Sequence, residues 1–184
     1  EGAAGYVVYR RAWSSTTNGW TTFERWNNVT GLEWIDGSDA NHKVYAGSRY
    51  QYGVKAYFAQ RVDPVTGATI GGNVGDNYNL GLVGPLKTTV RITTRTLKTA
   101  TAAGKGEIDV EWDASKVFTG YQLQIATNAA FTKEMESFKV DFNSGYIDEL
   151  KSNTTYYIRV RSYHEFEGMT YFGEWSNVKS CKVK

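Results

Sequence analysis

An internal repeat is the feature that most constrains how this chain can fold. The segment VYAGSRYQYGVKAY at residues 44–57 aligns without gaps on LKSNTTYYIRVRSY at residues 150–163, so that Tyr50 matches Tyr156. Each copy begins with small or polar residues and continues with alternating apolar and polar side chains. Alternation with a period of two is typical of a half-buried β-strand. The chain therefore contains two related β-units.

The composition supports an all-β fold with packed cores. Of the 184 residues, 41% are hydrophobic and 15% are aromatic, which is enough apolar surface to form cores. The 13 Tyr and 6 Trp residues favour strands over helices. Because Cys181 is the single cysteine, an intrachain disulfide and a cysteine-rich metal site are both excluded.

The residues around the repeated tyrosine resemble a motif of the fibronectin type III family. The run LKSNTTY at residues 150–156 has that family's spacing of leucine, small residue, hydroxyl residue and tyrosine, and an alternating strand follows it. The resemblance implies two immunoglobulin-like (fibronectin type III) β-sandwiches in tandem, at residues 1–93 and 94–184. It also implies that Tyr50 and Tyr156 form tyrosine corners, with buried rings and hydroxyls bonded to upstream backbone.

The resemblance extends over the whole second unit. In the family's lettering, its predicted strands are A near 97–102, B at 108–112, C at 121–126, C′ near 138–142, E around 146–147, F at 156–162 and G at 177–183. Trp112 on strand B corresponds to the family's buried tryptophan. The resemblance further implies that Arg159 and Arg161 stack on Trp175 as a structural ladder of cations and rings.

The first unit matches the family only from strand C onward. Its predicted strands are C at 6–10, C′ near 20–26, E at 32–35, F at 50–57 and G at 86–92. Without strands A and B, strand E would lose its partner and one face of the sheet would be open to water. We expect the missing strands to come from an upstream segment of a longer chain or from a neighbouring subunit. Alternatively, the long F–G insertion at residues 63–84 folds back over the gap.

Three tryptophans, Trp13, Trp20 and Trp26, flank the region of strands C and C′ in the first unit. If exposed, such rings could stack on sugars or anchor a protein partner, since they offer a large contact area at little entropic cost. The alternative is structural, with some rings packed inward and others covering the open edge of the sheet.

The glycine-rich insertion at residues 63–84 is too long for an ordinary hairpin connection. Loops of this length commonly carry a function. Asp76 and Asn73, together with Asn77 and Asn79, supply the hard oxygen ligands that Ca²⁺ prefers. One carboxylate is few for a calcium site, so the sequence favours a glycine-rich turn without a metal.

Residues with catalytic chemistry form no recognisable motif. His42 and His164 have no nucleophile motif beside them and are interpreted as surface histidines. Acidic pairs within residues 134–136 and 148–149 could act as acid and base only in a cleft, and they are interpreted as solvated charge. We therefore expect neither catalysis nor a cofactor.

The net charge and the resemblance of short runs to known modules limit which kinds of partner are expected. The net charge is +2, without a basic block, which disfavours a nucleic-acid surface, and no apolar run approaches the roughly 18 residues of a membrane span. Runs such as GYQLQIATNAAF resemble modules of Gram-positive bacterial surface proteins, which implies an extracellular, surface-attached or secreted protein. The predicted function is a non-catalytic spacer or adhesive module that holds a protein or glycan. The alternatives are an accessory region of a secreted carbohydrate-active or cell-wall enzyme and a strand-sharing subunit of a surface filament.

Overall fold

The computed structural model describes residues 3–70 and 84–184, and the chain divides into two compact units, Glu1–Arg91 and Ile92–Lys184. Throughout the described residues, strands pair in antiparallel fashion and no helix occurs. The prediction of an all-β fold is therefore confirmed. The boundary between the units lies close to the one expected at Thr93.

The first unit is built on one sheet. Its strands are β1 (Gly5–Ser14), β2 (Gly19–Trp20), β3 (Glu24–Val29), β4 (Arg49–Tyr57), β5 (Arg61–Val62), β6 (Thr69–Ile70) and β7 (Lys87–Val90). The sheet has the order β2-β1-β4-β7, with β3 also paired to β1, while β5 and β6 form a separate hairpin. Among the described residues of this unit, no second sheet packs on the first.

The region predicted as strand E of the first unit is not a strand. Residues 30–48 form turns and bends, and the side chains of Leu32 and Ile35 are 88% and 75% exposed. A strand needs a neighbour for its backbone hydrogen bonds, and no described strand pairs with this segment. The expectation of a strand at residues 32–35 was therefore wrong.

The second unit has two sheets. Its strands are β8 (Leu97–Gly104), β9 (Glu107–Trp112), β10 (Gly120–Ala126), β11 (Glu136–Val140), β12 (Ser144–Ile147), β13 (Thr155–Phe166), β14 (Met169–Phe172) and β15 (Lys179–Lys182). One sheet has the order β12-β9-β8, and the other has the order β11-β10-β13-β14 with β15 also paired to β13. Apolar side chains from both sheets form one buried cluster, at Leu97, Ile108, Val110, Trp112, Tyr121, Leu123, Ile125, Ile147, Tyr156, Ile158, Val160 and Val183.

The hairpin that follows the predicted strand F is longer than expected. Strand β13 continues to Phe166, beyond the predicted end of strand F at residue 162, and turns back into β14. The two turn residues, Glu167 and Gly168, both have positive φ, at 50° and 75°. Two such residues make the tight turn whose twist matches a β-hairpin.

The repeated tyrosines make the same hydrogen bond in the two units. The backbone amide of Tyr45 donates to the hydroxyl of Tyr50 at 3.2 Å, and the amide of Lys151 donates to the hydroxyl of Tyr156 at 3.1 Å. Both rings are buried. Each tyrosine thus ties its strand to the backbone five residues upstream.

The turn before each tyrosine is also shared. Gly47 and Asn153 occupy the same position of the repeat and both have left-handed backbone, with φ of 77° and 59°. Glycine and asparagine are the residues that adopt this conformation most readily. Their amides donate to the carbonyls of Arg91 and Val183, at 2.8 and 3.0 Å. In each unit, the repeat therefore specifies both the turn before the tyrosine and its hydrogen bond to the residue that follows the last strand.

Candidate functional site

The candidate site is one face of the first unit's sheet, which we call the inner face. It carries Tyr6, Val8 and Arg10 on β1, because alternate residues of a strand share a face. On β4, Tyr52 lies opposite Arg10 and Val54 lies opposite Val8.

The repeat identifies the corresponding face in the second unit. Since Tyr50 matches Tyr156, Val54 corresponds to Val160. The strand pairings extend this match, because Val8 pairs with Val54 as Leu123 pairs with Val160. In the same way, Tyr6 pairs with Val29 as Tyr121 pairs with Val140.

The two inner faces differ in what covers them. In the second unit, β8, β9 and β12 cover the face, and Val160 is 0% exposed. In the first unit, the corresponding Val54 is 40% exposed. Val8 beside it is only 8% exposed, so the described part of the first unit leaves open to solvent only part of a surface that is core in the second unit.

A groove of about 570 Å³ lies over the apolar part of this inner face. Its floor is formed by Tyr6, Val8, Val29 and Val54. Residues 31–34 form its wall, and Asp36 and Tyr52 also line it. This volume falls in the range of ligand-binding clefts, and its lining is largely apolar. A groove of this kind favours an apolar occupant.

The other end of the inner face is occupied by a polar cluster, which we call the Arg10 cluster. The Arg10 guanidinium stacks on the Trp26 ring, with Cζ 3.3 Å from the ring centroid, and forms an ion pair of 2.8 Å with Asp36. The Arg10 Cζ also lies 4.4 Å from the centroid of the Tyr50 ring. Both charged side chains are nearly buried. The charge of Arg10 is thus compensated on the surface of the sheet itself.

Asp36 is the centre of this cluster because it accepts three side-chain hydrogen bonds. The donors are Arg10 Nη1 at 2.8 Å, Trp26 Nε1 at 2.9 Å and the Tyr52 hydroxyl at 2.6 Å. Burial, together with the neighbouring Asp36 carboxylate, raises the pKa of Tyr52, so its hydroxyl remains a donor. Asp36 thereby fastens the segment at residues 30–48 to the sheet.

His42 fastens the same segment at a second point. Its Nδ1 lies 2.8 Å from the Asp39 carboxylate, and its Nε2 lies 2.9 Å from the backbone carbonyl of Trp26. The imidazole also packs edge-on against Trp34 at 5.1 Å. The hydrogen bond to Asp39 raises the pKa of His42, because the protonated ring can donate from both nitrogens. His42 is therefore a half-buried structural contact of the groove wall. His164, the other histidine interpreted as a surface residue, is only 8% exposed, so that interpretation is wrong for it.

The three tryptophans predicted as a binding patch do not form one surface. Trp13 and Trp20 are cross-strand neighbours on β1 and β2, and their rings meet edge to face at 84°. Trp26 belongs to the Arg10 cluster. The rings of the perpendicular pair cannot both lie flat against one sugar ring.

The ladder residues of the second unit lie together. The guanidiniums of Arg159 and Arg161 each lie 4.3 Å from the centroid of the Trp175 ring. Arg159 also lies 4.0 Å from the Phe131 ring, and Arg161 lies 4.0 Å from the Phe172 ring. Side-chain oxygens of Gln124 and Gln122 accept from the two arginines at 2.8 Å. Burial lowers the pKa of both arginines. Trp112, by contrast, lies in the core, fully buried.

The remaining candidates give no further site. Asp76, Asn73, Asn77 and Asn79 lie outside the described residues. Elsewhere, in residues 3–70 and 84–184, no three His, Cys, Asp or Glu side chains are grouped as a metal site would require. Among these residues no helix has the length and apolar character to cross a bilayer.

The acidic pairs of the second unit do line a cleft, contrary to expectation. It measures about 770 Å³ and lies between β11 and β12. The carboxylates there are exposed, and Glu134 is paired with Lys151 at 2.9 Å. The structure thus supplies the cleft but leaves the carboxylates in contact with water.

Sequence reasoning missed Asp36, Tyr52 and Arg10 as members of a site. An isolated aspartate in a loop, and an arginine or tyrosine in a strand, are ordinary residues in a sequence. One feature of the repeat could have indicated the site. Arg10 and Tyr52 are polar residues at the positions that Ile125 and Ile158 occupy in the second unit.

Comparison with known proteins reveals structural neighbours only. No family model and no curated protein matches the sequence. Among solved structures, the FN1–FN3 domains of chicken CNTN1 match 100% of this chain at 20% identity and a TM-score of 0.42, and the chain spans 58% of that structure.

Two single human domains are also similar. The sixth fibronectin type III domain of human fibronectin type III domain containing protein 3 matches 51% of this chain and 87% of its own, at 20% identity and a TM-score of 0.41. The fn3 domain of human contactin 1 matches 52% of this chain and 88% of its own, at 19% identity and a TM-score of 0.38. These structural neighbours are fibronectin type III domains.

Proposed function

We propose that the chain is a non-catalytic extracellular binding module of a surface or secreted protein, in which the inner face of the first unit holds a protein partner. The single observation that carries this proposal is the open apolar groove over a face that the second unit buries completely. Leu32, Ile35 and Val54 expose apolar side chains around this groove, and their burial under a partner would be favourable.

A protein partner is favoured over a glycan by the chemistry of the groove. Its floor is formed by valines and a tyrosine, which bury apolar surface well but supply few hydrogen bonds. Glycans are rich in hydroxyls, and removing those from water without partners is costly.

The proposal is tested by asking whether the groove is accessible in solution. Titration with the apolar dye 8-anilinonaphthalene-1-sulfonate should show saturable fluorescence with the wild-type chain. Val54→Arg should abolish that signal, because a guanidinium would project from the floor of the groove. The matched control is Val178→Arg, at a valine of the second unit that is 44% exposed, and it should leave the signal unchanged.

Two results would contradict the proposed function. Absence of any dye signal from the wild-type chain would mean that the inner face is closed in solution. A signal that persists in Val54→Arg would place the accessible apolar surface elsewhere. A second experiment identifies the partner, with a photo-crosslinker placed at position 54 of the protein on its native surface. It should couple to a polypeptide, and coupling to a glycan would contradict the proposal of a protein partner.

A further inference from the structure

We infer that the cleft of the second unit, between β11 and β12, binds an extended segment of a partner polypeptide in which one large apolar residue stands between two lysines or arginines. This cleft is formed by other residues than the inner face of the first unit, and its role does not depend on the function proposed for that face. Its charge, its apolar floor and the strand edges that border it support such a ligand.

The lining of the cleft is acidic, although the chain as a whole has a net charge of +2. Its charged residues are four acids and two lysines, at Glu134, Glu136, Asp148, Glu149, Lys139 and Lys151. Lys151 is paired with Glu134 at 2.9 Å, and Lys139 is paired at 3.0 Å with Glu165, which lies outside the lining. Both lysines are thus already neutralised. Within the described part of the chain, no cation forms an ion pair with the other three carboxylates of the lining.

The hydroxyl of Tyr146, which also lines the cleft, indicates a negative potential at the β12 side. The pKa of Tyr146 is raised to about 12, first by its hydrogen bond to the Glu107 carboxylate and further by partial desolvation and by the charges of Glu107, Asp148 and Asp109. These carboxylates disfavour a further negative charge, and for the same reason they stabilise an ammonium or guanidinium group nearby.

The carboxylates are spread along the cleft and do not converge on one point. In residues 3–70 and 84–184, no three His, Cys, Asp or Glu side chains are grouped closely enough to hold a metal ion. A single small cation would therefore neutralise only part of this charge. An extended polypeptide places side chains about 6.6 Å apart along one side, so it can bring two cations to separate carboxylates. Nucleic acids and anionic lipid surfaces would be repelled.

The floor of the cleft is apolar. Leu123, Ile147 and Tyr156 are buried core residues at its base, and Phe138 on β11 is 37% exposed. Phe138 lies opposite Leu123 in the strand pairing, so both side chains are on the core-facing side of the sheet. One large apolar side chain of a partner would bury the exposed part of the Phe138 ring. Apolar burial of this kind supplies affinity that exposed ion pairs alone do not.

Two strand edges border the cleft and favour an extended ligand. Among the described strands, β11 pairs only with β10 and β12 pairs only with β9, so each has one free edge. A free edge offers backbone amides and carbonyls to an added strand. A helix is about 10–12 Å across, as wide as the distance of about 10 Å between packed sheets, so a strand enters such a gap more readily. A strand added to β11 would direct alternate side chains over the cleft.

The test uses the synthetic peptide Thr-Lys-Thr-Phe-Thr-Lys-Thr with both ends blocked. Threonine favours the extended conformation, in which the two lysines and the phenylalanine share one side. One control peptide has glutamates in place of the lysines, and another has serine in place of the phenylalanine. Two further peptides carry N-methyl groups either on the Lys and Phe amides or on the Thr amides. Only one of these two sets can point at β11, so only one of these peptides should lose binding.

Binding to the full chain is measured by calorimetry at low and at physiological ionic strength. The parent peptide should bind, and more weakly at the higher ionic strength, because salt screens the charges. The double variant Asp148→Asn, Glu149→Gln should weaken binding by about fivefold. The matched control Glu24→Gln, Glu167→Gln removes the same charge from exposed positions outside the cleft and should leave binding unchanged. Phe138→Ala, and the peptide with serine, should each weaken binding by about tenfold.

Lys151→Gln gives an expected change of the opposite sign. It releases Glu134 from its ion pair, so that one more carboxylate is available to the ligand. Binding should become about threefold tighter. Lys151 and all four residues of the two double variants are exposed, so these variants are expected to remain folded.

Several results would overturn the inference. They are a parent peptide that does not bind, equal weakening by the two double variants, equal binding by the glutamate peptide, and equal binding by the two N-methylated peptides. If spermidine binds as tightly as the parent peptide and displaces it, the cleft is a site for small cations and not for a polypeptide. Val54→Arg, in the groove of the first unit, should leave peptide binding unchanged, so a failure at the cleft leaves the proposed function standing.

Discussion

Arg10 and Asp36 form a 2.8 Å ion pair on the inner face of the first unit, where the second unit places Ile125 in its core. The pair is nearly buried, and Asp36 also accepts hydrogen bonds from Trp26 and Tyr52. One face of a repeated sheet is thus stabilised in two ways, by apolar packing in the second unit and by a compensated charge in the first.

Removing Asp36 should destabilise the first unit. Asp36→Ala leaves the Arg10 guanidinium nearly buried and unpaired, and we expect a loss of about 3 kcal/mol in the free energy of unfolding. The double variant Arg10→Met, Asp36→Leu should recover much of this loss, because apolar residues can replace such a pair. Urea denaturation measures both, with the exposed Asp148→Ala as control. An Asp36→Ala variant as stable as the control would contradict the role of the Arg10 cluster.

The tyrosine corners should contribute equally to the two units. Tyr50→Phe and Tyr156→Phe each remove the acceptor of one backbone amide, and each should cost about 1 kcal/mol. Tyr45→Phe, at an exposed ring, should change the free energy of unfolding by less than about 0.5 kcal/mol. Denaturant titrations of the three variants provide the comparison. Markedly unequal losses would show that the two corners are not equivalent.

The second unit should fold by itself around Trp112. Residues 92–184, expressed alone, should unfold cooperatively on heating. Trp112→Ala should lower the free energy of unfolding of this fragment by about 3–5 kcal/mol, through lost burial and the cavity left behind. Val178→Ala, at an exposed site, is the control. An unfolded wild-type fragment would refute the autonomy of this unit.

The contact between His42 and Asp39 should make the first unit's stability depend on pH. The pKa of His42 is raised above 6.5 by Asp39, so its contribution is full below pH 6.5 and is lost as the pH rises through the raised value. The pKa of Asp39 is lowered below 3.8, chiefly by the hydrogen bond from His42, so its contribution is present above pH 3.8 and is lost as the pH falls through the lowered value. Asp36, close to His42, also raises the pKa of His42.

The check is a series of urea midpoints between about pH 5 and about pH 8, the range in which histidine commonly titrates. The midpoint of the wild-type first unit should fall as the pH rises, and His42→Gln should be less stable at pH 5 but nearly independent of pH. Asp39→Asn should also flatten the profile. A His42→Gln variant with the wild-type slope would mean that another group titrates.

Much of the fold could be predicted because its determinants are local. Alternating side chains specify strands β9, β10 and β13, and the corner turn is specified by a small set of residues ending in tyrosine. The end of strand β13 was predicted four residues too early, because a two-residue Glu-Gly turn is a weak signal. Strand E of the first unit was predicted in error, because four apolar or alternating residues form a strand only when a neighbour pairs with them.

By itself, the sequence determined that this protein has two β-units and where most of their strands lie. These properties depend on periodicity and spacing along the chain. Only the tertiary structure decided that Asp36 lies against Arg10, that His42 holds the groove wall, and that the aromatic rings divide between separate clusters. Those contacts join residues far apart in sequence through the path of an irregular segment, and no local pattern encodes that path.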